Sequence, residues 1–236
     1  MYPTLMSLPQ YMYPINQHEV HRFDDPNMPL VPLEELFGFQ RCRVIPPRTL
    51  YHPVLPERSD ENGELLFPLY PITGTWTHVE LQKAVSLGYV IAETFEQHHF
   101  PPEKRSNELF KDYVNTFFAL KKKAQEDKNP GMKQVAKLCL NSFYGKFGFN
   151  VENQGPTNII RNRLQLWNVI NSAYKHSNVD VINNAVAIAT FHINDEYTVH
   201  TKSNVYIAAF VTAYARLKLY EALEILQEKA LYFDTD

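Results

Sequence analysis

Two stretches of this sequence hold side chains suited to chemistry. The first is "KQVAKLCLNSFYGKFG", residues 133–148. Read as a helix, it sets Lys133, Lys137, Asn141 and Tyr144 on one stripe, with Val135, Leu138 and Phe143 off it. Two ammonium groups, an amide and a phenol on one face suit a phosphate tail and a flat base. Lysine neutralises phosphate, Asn hydrogen-bonds and an aromatic ring stacks. Gly145, beside the tyrosine, lets another group come close. The same pattern also fits an exposed helix face with an aromatic staple. The second stretch is "LYFDTD", residues 231–236. As a strand it puts Tyr232, Asp234 and Asp236 on one face and Leu231, Phe233 and Thr235 on the other. Two carboxylates roughly 7 Å apart by strand rise can help hold Mg²⁺, which takes one or two carboxylates plus substrate phosphates. A lone D-x-D equally fits a solvent-facing strand end.

The elements that must position these residues alternate between periods. Residues 1–36 are punctuated by prolines, with a brief helix expected at "PLEELFGF" between Pro32 and Gly38. "CRVIPP", "LYHPVLP" and "ELLFPLY" read as short strands, with "SDENG" as a hairpin turn. Thr77 with Glu80 three residues on is a capping box, and it opens a helix that Gly88 stops. "YVIAETFEQHHF" reads as a strand. Residues 106–126 and 131–147 read as two helices parted by "DKNPG". Residues 148–205 are mixed and polar, with strand-like ends at "TNIIRN" and "EYTVHT". Residues 205–229 form the clearest long helix, ahead of a terminal strand.

The 236 residues make one large domain or two small ones. At 44% apolar and 21% charged the composition is that of a soluble globular chain. Cys42 and Cys139 stand far apart without C-x-x-C spacing, which argues against a zinc site or a disulfide framework and for a reducing compartment. No signal peptide and no membrane span is visible, so an intracellular location is expected, in nucleus, cytoplasm or mitochondrion. Charge is uneven. Residues 101–148 hold ten Lys and Arg against five Asp and Glu, whereas residues 1–100 hold six against twelve. A polyanion would meet that middle segment, although a solvated basic face gives the same excess. His18 and His21 in "HEVH" lack a third ligand and read as a surface loop, as do His98 and His99. Lys121, Lys122 and Lys123 fit a solvated helix end as well as a DNA contact, and Trp76 and Trp167 read as packing residues.

Taken together, "KLCLNSFYGKFG" followed at a distance by "LYFDTD" resembles the B family of DNA polymerases. The nearer similarity is to the protein-primed branch found in viruses, linear plasmids and large self-synthesising transposons. In that family a K-x3-N-S-x-Y-G helix lies in the fingers and a Y-x-D-T-D-S turn lies in the palm. Lys137, Asn141, Ser142, Tyr144 and Gly145 match the first motif. Tyr232, Asp234, Thr235 and Asp236 match the second, without its final Ser. Met1-Tyr2-Pro3 resembles the end of the family's remaining motif, D-x-x-S-(L/M)-Y-P, without its Asp. "VIPPRTLYHPVLP", "TGTWTHVELQKAVSLGY", "FKDYVNTFFALKK" and "NVYIAAFVTAYARLKLYEAL" look like the same group, so the resemblance spans most of the chain and thins at about 150–200.

The resemblance implies an α/β fold of the α+β type: a polymerase palm with an antiparallel sheet and inserted helical fingers, incomplete. It implies a palm segment with a strand-rich insertion over 1–100, fingers helices over 101–148, an insertion over 149–204, and a palm helix with the D-T-D strand over 205–236. The activity implied is that of a DNA-directed DNA polymerase, moving a nucleotide from a dNTP to a primer 3′-hydroxyl. Asp234 and Asp236 would be the catalytic and metal-binding carboxylates, holding Mg²⁺ or Mn²⁺ in a two-metal site. Tyr2 would reject ribonucleotides, and Lys133, Lys137, Asn141 and Tyr144 would bind the nucleotide. Tyr144 and Gly145 would also face DNA. Primer–template DNA, dNTP and a terminal-protein primer are the implied partners, and no membrane is. Arg216 is expected to be structural. A slice of a polymerase lacking the first-motif Asp is expected to be inactive alone. Two rival readings are a catalytically dead remnant of a mobile-element gene that at most binds nucleic acid or a partner, and a helical interaction module.

Overall fold

The structure is a computed structural model that describes residues 2–59, 61, 63–148, 157–171, 175–183, 186–192 and 204–233. Contacts divide the chain into two units, one of Met1–Gly145 with Val205–Asp236 and one of Lys146–Asn204.

The first unit opens with α1 (Tyr2–Ser7), then β1 (Tyr13–Pro14), β2 (Glu19–Arg22) and β3 (Gly38–Ile45). Next come the two-residue strands β4 (Glu57–Arg58) and β5 (Leu65–Leu66), then β6 (Ile72–Thr77), α2 (His78–Ser86) and β7 (Val90–His99). β8 (Arg105–Ser106) leads into α3 (Lys111–Glu126) and α4 (Pro130–Phe147). Its central sheet is antiparallel throughout, in the order β2-β7-β3-β6. β3 shows why it lies in the middle. From Gln40 to Ile45 its residues alternate buried and exposed, so one face carries Gln40, Cys42 and Val44 inward while Arg41 and Arg43 face out. Gly38 starts the strand at φ +153°, and a Cβ there would lie 1.8 Å from the His98 carbonyl oxygen, so only glycine lets β3 and β7 approach.

α2 begins with the expected capping box. The Glu80 amide donates to Thr77 Oγ1 at 3.4 Å, and the Thr77 amide donates to Glu80 Oε2 at 3.3 Å. The helix ends just before Gly88, which takes φ +93°. Leu81 and Ala84 of α2 enter a core with Cys42, Val44, Ile72, Trp76, Tyr220 and Leu223. The last two come from α6 (Val205–Leu226), the long helix. Its first half is buried almost all round, from Ile207 to Ala215. There Phe210 stacks on Phe37 at 5.0 Å and Tyr214 meets Tyr13 edge-on at 5.8 Å. α1 packs against α3 and α6.

α3 and α4 form a helical hairpin. Asn129 Oδ1 accepts the Met132 amide at 3.0 Å and Pro130 opens α4, so the "DKNPG" break becomes a capped start. Tyr113 of α3 stacks on Phe143 of α4 at 4.0 Å, and its hydroxyl donates to the Cys139 carbonyl at 3.2 Å. In the second unit β9 (Thr157–Ile160), α5 (Arg163–Ile170), β10 (Lys175–Asn183) and β11 (Val186–His192) follow in order. The antiparallel sheet runs β10-β11-β9, and Ile160 and Ala189 are buried together.

Several expectations need correction. "PLEELFGF" forms a single turn, in which the Glu35 and Leu36 amides both donate to the Pro32 carbonyl, because Gly38 is taken by β3 and so short a helix has no room to propagate. "LYHPVLP" is not a strand. Side chains hold it instead of a ladder: the Val54 amide donates to Tyr89 Oη at 3.2 Å and Trp76 Nε1 donates to the Pro56 carbonyl at 2.9 Å. The helix expected from 106 starts at Lys111, because Arg105 and Ser106 pair with β1. His98 and His99 end β7 rather than forming a loop, and His21 is buried in β2 with Nδ1 donating to the Pro29 carbonyl at 2.7 Å. Trp167 is 65% exposed and packs little, unlike buried Trp76. Leu231–Phe233 are irregular rather than extended, with Leu231 98% exposed and so lacking the burial that favours a strand. "EYTVHT" lies outside the described residues.

Candidate nucleotide site

The site grows from two helices that meet. α4 buries Ala136 and Leu140 and half-buries Phe143, and the Tyr113 stack fixes its rotation. That leaves Lys133, Lys137 and Asn141 in solvent along one flank, with half-buried Tyr144 continuing their stripe. Tyr144 stacks on Tyr2 of α1, ring centroids 4.3 Å apart and planes 18° from parallel. The fold thereby joins the start of the chain to the end of the "KLCLNSFYGKFG" stretch. Gly145 presents open space: a Cβ there would meet no atom within 4 Å.

Beside Tyr2 lies a cavity of about 280 Å³ lined also by Thr212, Arg216 and Leu219 of α6 and by Phe233. Leu65 and Phe67 complete its wall. Phe233 is the residue before Asp234, while Asp234, Thr235 and Asp236 lie outside the described residues. The cavity lining is mostly apolar, and Arg216 brings its only formal charge among those residues.

Arg216 is held in place. Its Nε and Nη2 donate to Glu80 Oε1 at 3.0 and 2.6 Å, and the Glu80 side chain is only 3% exposed. Further along α6, Glu224 pairs with Lys83 of α2 at 2.6 Å. The Glu80–Arg216 pair has no local signal: the capping box is legible in the sequence, but the partner of the second Glu80 oxygen lies on a distant helix. The expectation that Arg216 is structural agrees with this pairing, though the same residue also lines the cavity. His78, at the start of α2, is buried, and its Nδ1 accepts the Gly38 amide at 3.2 Å. Burial, with the Arg105 charge adding to it, pushes its pKa down to about 4. Burial raises the Tyr13 and Tyr214 phenols well above their usual range, so both are neutral packing groups, and the Tyr214 hydroxyl donates to the Met12 carbonyl.

Among the described residues no group of three or more His, Cys, Asp or Glu is placed to hold a metal ion. No helix of the described residues is long and apolar enough to cross a membrane.

Comparison with known proteins shows the family and the fold. The family described as "DNA polymerase type B, organellar and viral" matches residues 1–227. A probable DNA polymerase of Agaricus bitorquis is 34% identical over 113 residues, which is 47% of this chain and 14% of the relative. One of Neurospora intermedia is 25% identical over 202 residues, covering 85% of this chain and 20% of the relative. The chain thus spans a fifth or less of the curated relatives it matches. The solved structure of phi29 DNA polymerase in an orthorhombic crystal form aligns with all of the chain and 36% of its own, at TM-score 0.66 and 20% identity. A phi29 polymerase structure complexed with primer-template DNA and incoming nucleotide substrates aligns at TM-score 0.62 and 20% identity. At that identity the likeness shows the fold, an α/β architecture with antiparallel sheets.

Proposed function

The chain belongs to the organellar and viral type B DNA polymerases, and from that premise we propose that it serves in template-directed DNA synthesis, at the Tyr2–Tyr144 stack and the adjoining cavity that Tyr2 and Arg216 line. The reaction is attack of a primer 3′-hydroxyl on the α-phosphorus of a dNTP with loss of pyrophosphate. The observation that carries the reading is the Tyr2–Tyr144 stack, because it sets the nucleotide-facing stripe of α4 against the residue assigned to sugar selection.

The roles follow from chemistry and position. Lys137, with Lys133 one turn earlier, is exposed and free to neutralise a triphosphate. Asn141 and Tyr144 line the base pair, and Tyr2 crowds a ribose 2′-hydroxyl. Gly145, with open space before it, lets the template backbone approach. Asp234 and Asp236 are assigned to bind Mg²⁺, whose chemistry when bound is to neutralise the phosphates and activate the attacking oxygen. In this assignment residues 1–100 and 205–236 supply the palm, 101–148 the fingers and 149–204 an insertion beside the DNA. Priming by a terminal protein fits the branch that the motifs resemble, and action inside the cell fits the same branch.

Anisotropy of a labelled primer–template tests the reading. The chain is expected to bind it, less tightly as salt rises, and the complementary dNTP with Mg²⁺ is expected to tighten the complex while a mismatched dNTP is not. A chain that binds no DNA, or responds alike to every dNTP, is the dead remnant or the helical module instead.

A further inference from the structure

Resting on that polymerase reading, we infer that Glu80 is a positioning residue of the site: its carboxylate clamps Arg216 and so fixes one wall of the cavity that Tyr2 and Phe233 share. Glu80 does not line the cavity itself. It stands in the first turn of α2 with a side chain 3% exposed, and a carboxylate so deeply buried persists only with partners on its oxygens. Both oxygens are occupied. Oε2 accepts from the Thr77 amide at 3.3 Å and from Thr77 Oγ1 at 2.8 Å. Oε1 accepts from Nε and Nη2 of Arg216 at 3.0 and 2.6 Å. Those two nitrogens form one edge of a rigid planar fork, so holding that edge sets the direction of the whole guanidinium.

The clamp therefore joins two elements that share no sequence neighbourhood. α2 hangs from β6 through Thr77, and α6 carries both Thr212 and Arg216 into the cavity one turn apart. Arg216 has 24% of its side chain exposed and lines the cavity, while its partner is sealed. A glutamine at 80 would keep the size and an oxygen for the Thr77 cap but lose the charge that holds the guanidinium. A lysine at 216 would keep the charge but lose the two-pronged geometry.

The test uses the 236-residue chain with Mg²⁺ and measures dNTP and rNTP affinity by calorimetry, for wild type, Glu80→Gln, Arg216→Lys and the double variant. Each single variant is expected to lower the preference for dNTP over rNTP about threefold or more, and the double variant no further than the stronger single one, because one contact is broken in all three. A merely structural role would weaken both nucleotides together and leave the ratio alone, and that result overturns the inference. So does a double-variant effect equal to the two single effects multiplied. If wild type binds neither nucleotide, the polymerase reading fails, and the clamp is judged separately by a double-mutant cycle in urea. Coupling of about tenfold in the unfolding constant is expected there, and additivity overturns the clamp.

Discussion

Tyr2 has the role most open to direct trial. It stacks on Tyr144 and lines the cavity, so its ring occupies the space beside any sugar bound there. Tyr2→Val is expected to cut the discrimination against rNTP by about tenfold or more, since steric exclusion of one small group amounts to roughly 1–3 kcal/mol. Competition between dNTP and rNTP measures it, and unchanged discrimination would remove Tyr2 from the site. His78 yields a prediction of a different kind. Its folded-state pKa of about 4 lies below the ordinary 6.5, so the unfolded chain binds more protons between those values. The contribution of His78 to stability is full above pH 6.5 and is lost as pH falls through about 4, by roughly 3 kcal/mol at most. Burial lowers the His18 and His99 pKa values as well, so the same trend is shared. Urea denaturation at steps from pH 7.5 to 4 is expected to show the loss, and His78→Gln to flatten part of it. At this scale the sequence made the Lys133–Lys137–Asn141–Tyr144 stripe legible, because helical period and residue type are local. It could not show that Glu80 meets Arg216 or that Tyr2 meets Tyr144, because both contacts are made by folding.

Among the elements, β3 and α2 have the sharpest requirements. Gly38→Ala would drive a Cβ into the His98 carbonyl at a backbone angle that side chains rarely adopt. The cost is expected to be about 3 kcal/mol or more, seen as a lower urea midpoint or failure to fold. Thr77→Ala removes the cap of α2 and one of the two groups on Glu80 Oε2, and is expected to cost about 1–2 kcal/mol. Equal stability of either variant and wild type would show that these contacts do not hold the element. α2, β7 and α6 were readable in advance, since each has a strong period and, for α2, a start signal and a stop. "LYHPVLP" was not, for its bonds run to the side chains of Tyr89, just before β7, and of Trp76 in β6, both distant in sequence. "PLEELFGF" failed for a related reason: the glycine that looked like a helix stop is needed by a sheet crossing.

For the whole molecule, the uneven charge of the sequence coincides with one structural feature. The basic segment 101–148 contains the α3–α4 hairpin, whose Lys133 and Lys137 are exposed. The order of helices and strands indicated a mixed fold, but the antiparallel order β2-β7-β3-β6 pairs strands far apart in the chain and was not legible. Residues 149–204, set apart in the sequence only by the family resemblance, fall within the unit Lys146–Asn204, and their sequence lacks a clear period. The proposed function requires that α4 and α1 together form a nucleotide site. Calorimetric titration of dNTP with Mg²⁺ into wild type and Lys137→Ala tests it most directly. The exposed lysine can be removed without disturbing the fold, and its loss is expected to weaken dNTP binding about tenfold, as for one charge-assisted contact of roughly 1.5–3 kcal/mol. A wild-type chain that binds no dNTP, or a Lys137→Ala chain that binds it equally well, would contradict the claim.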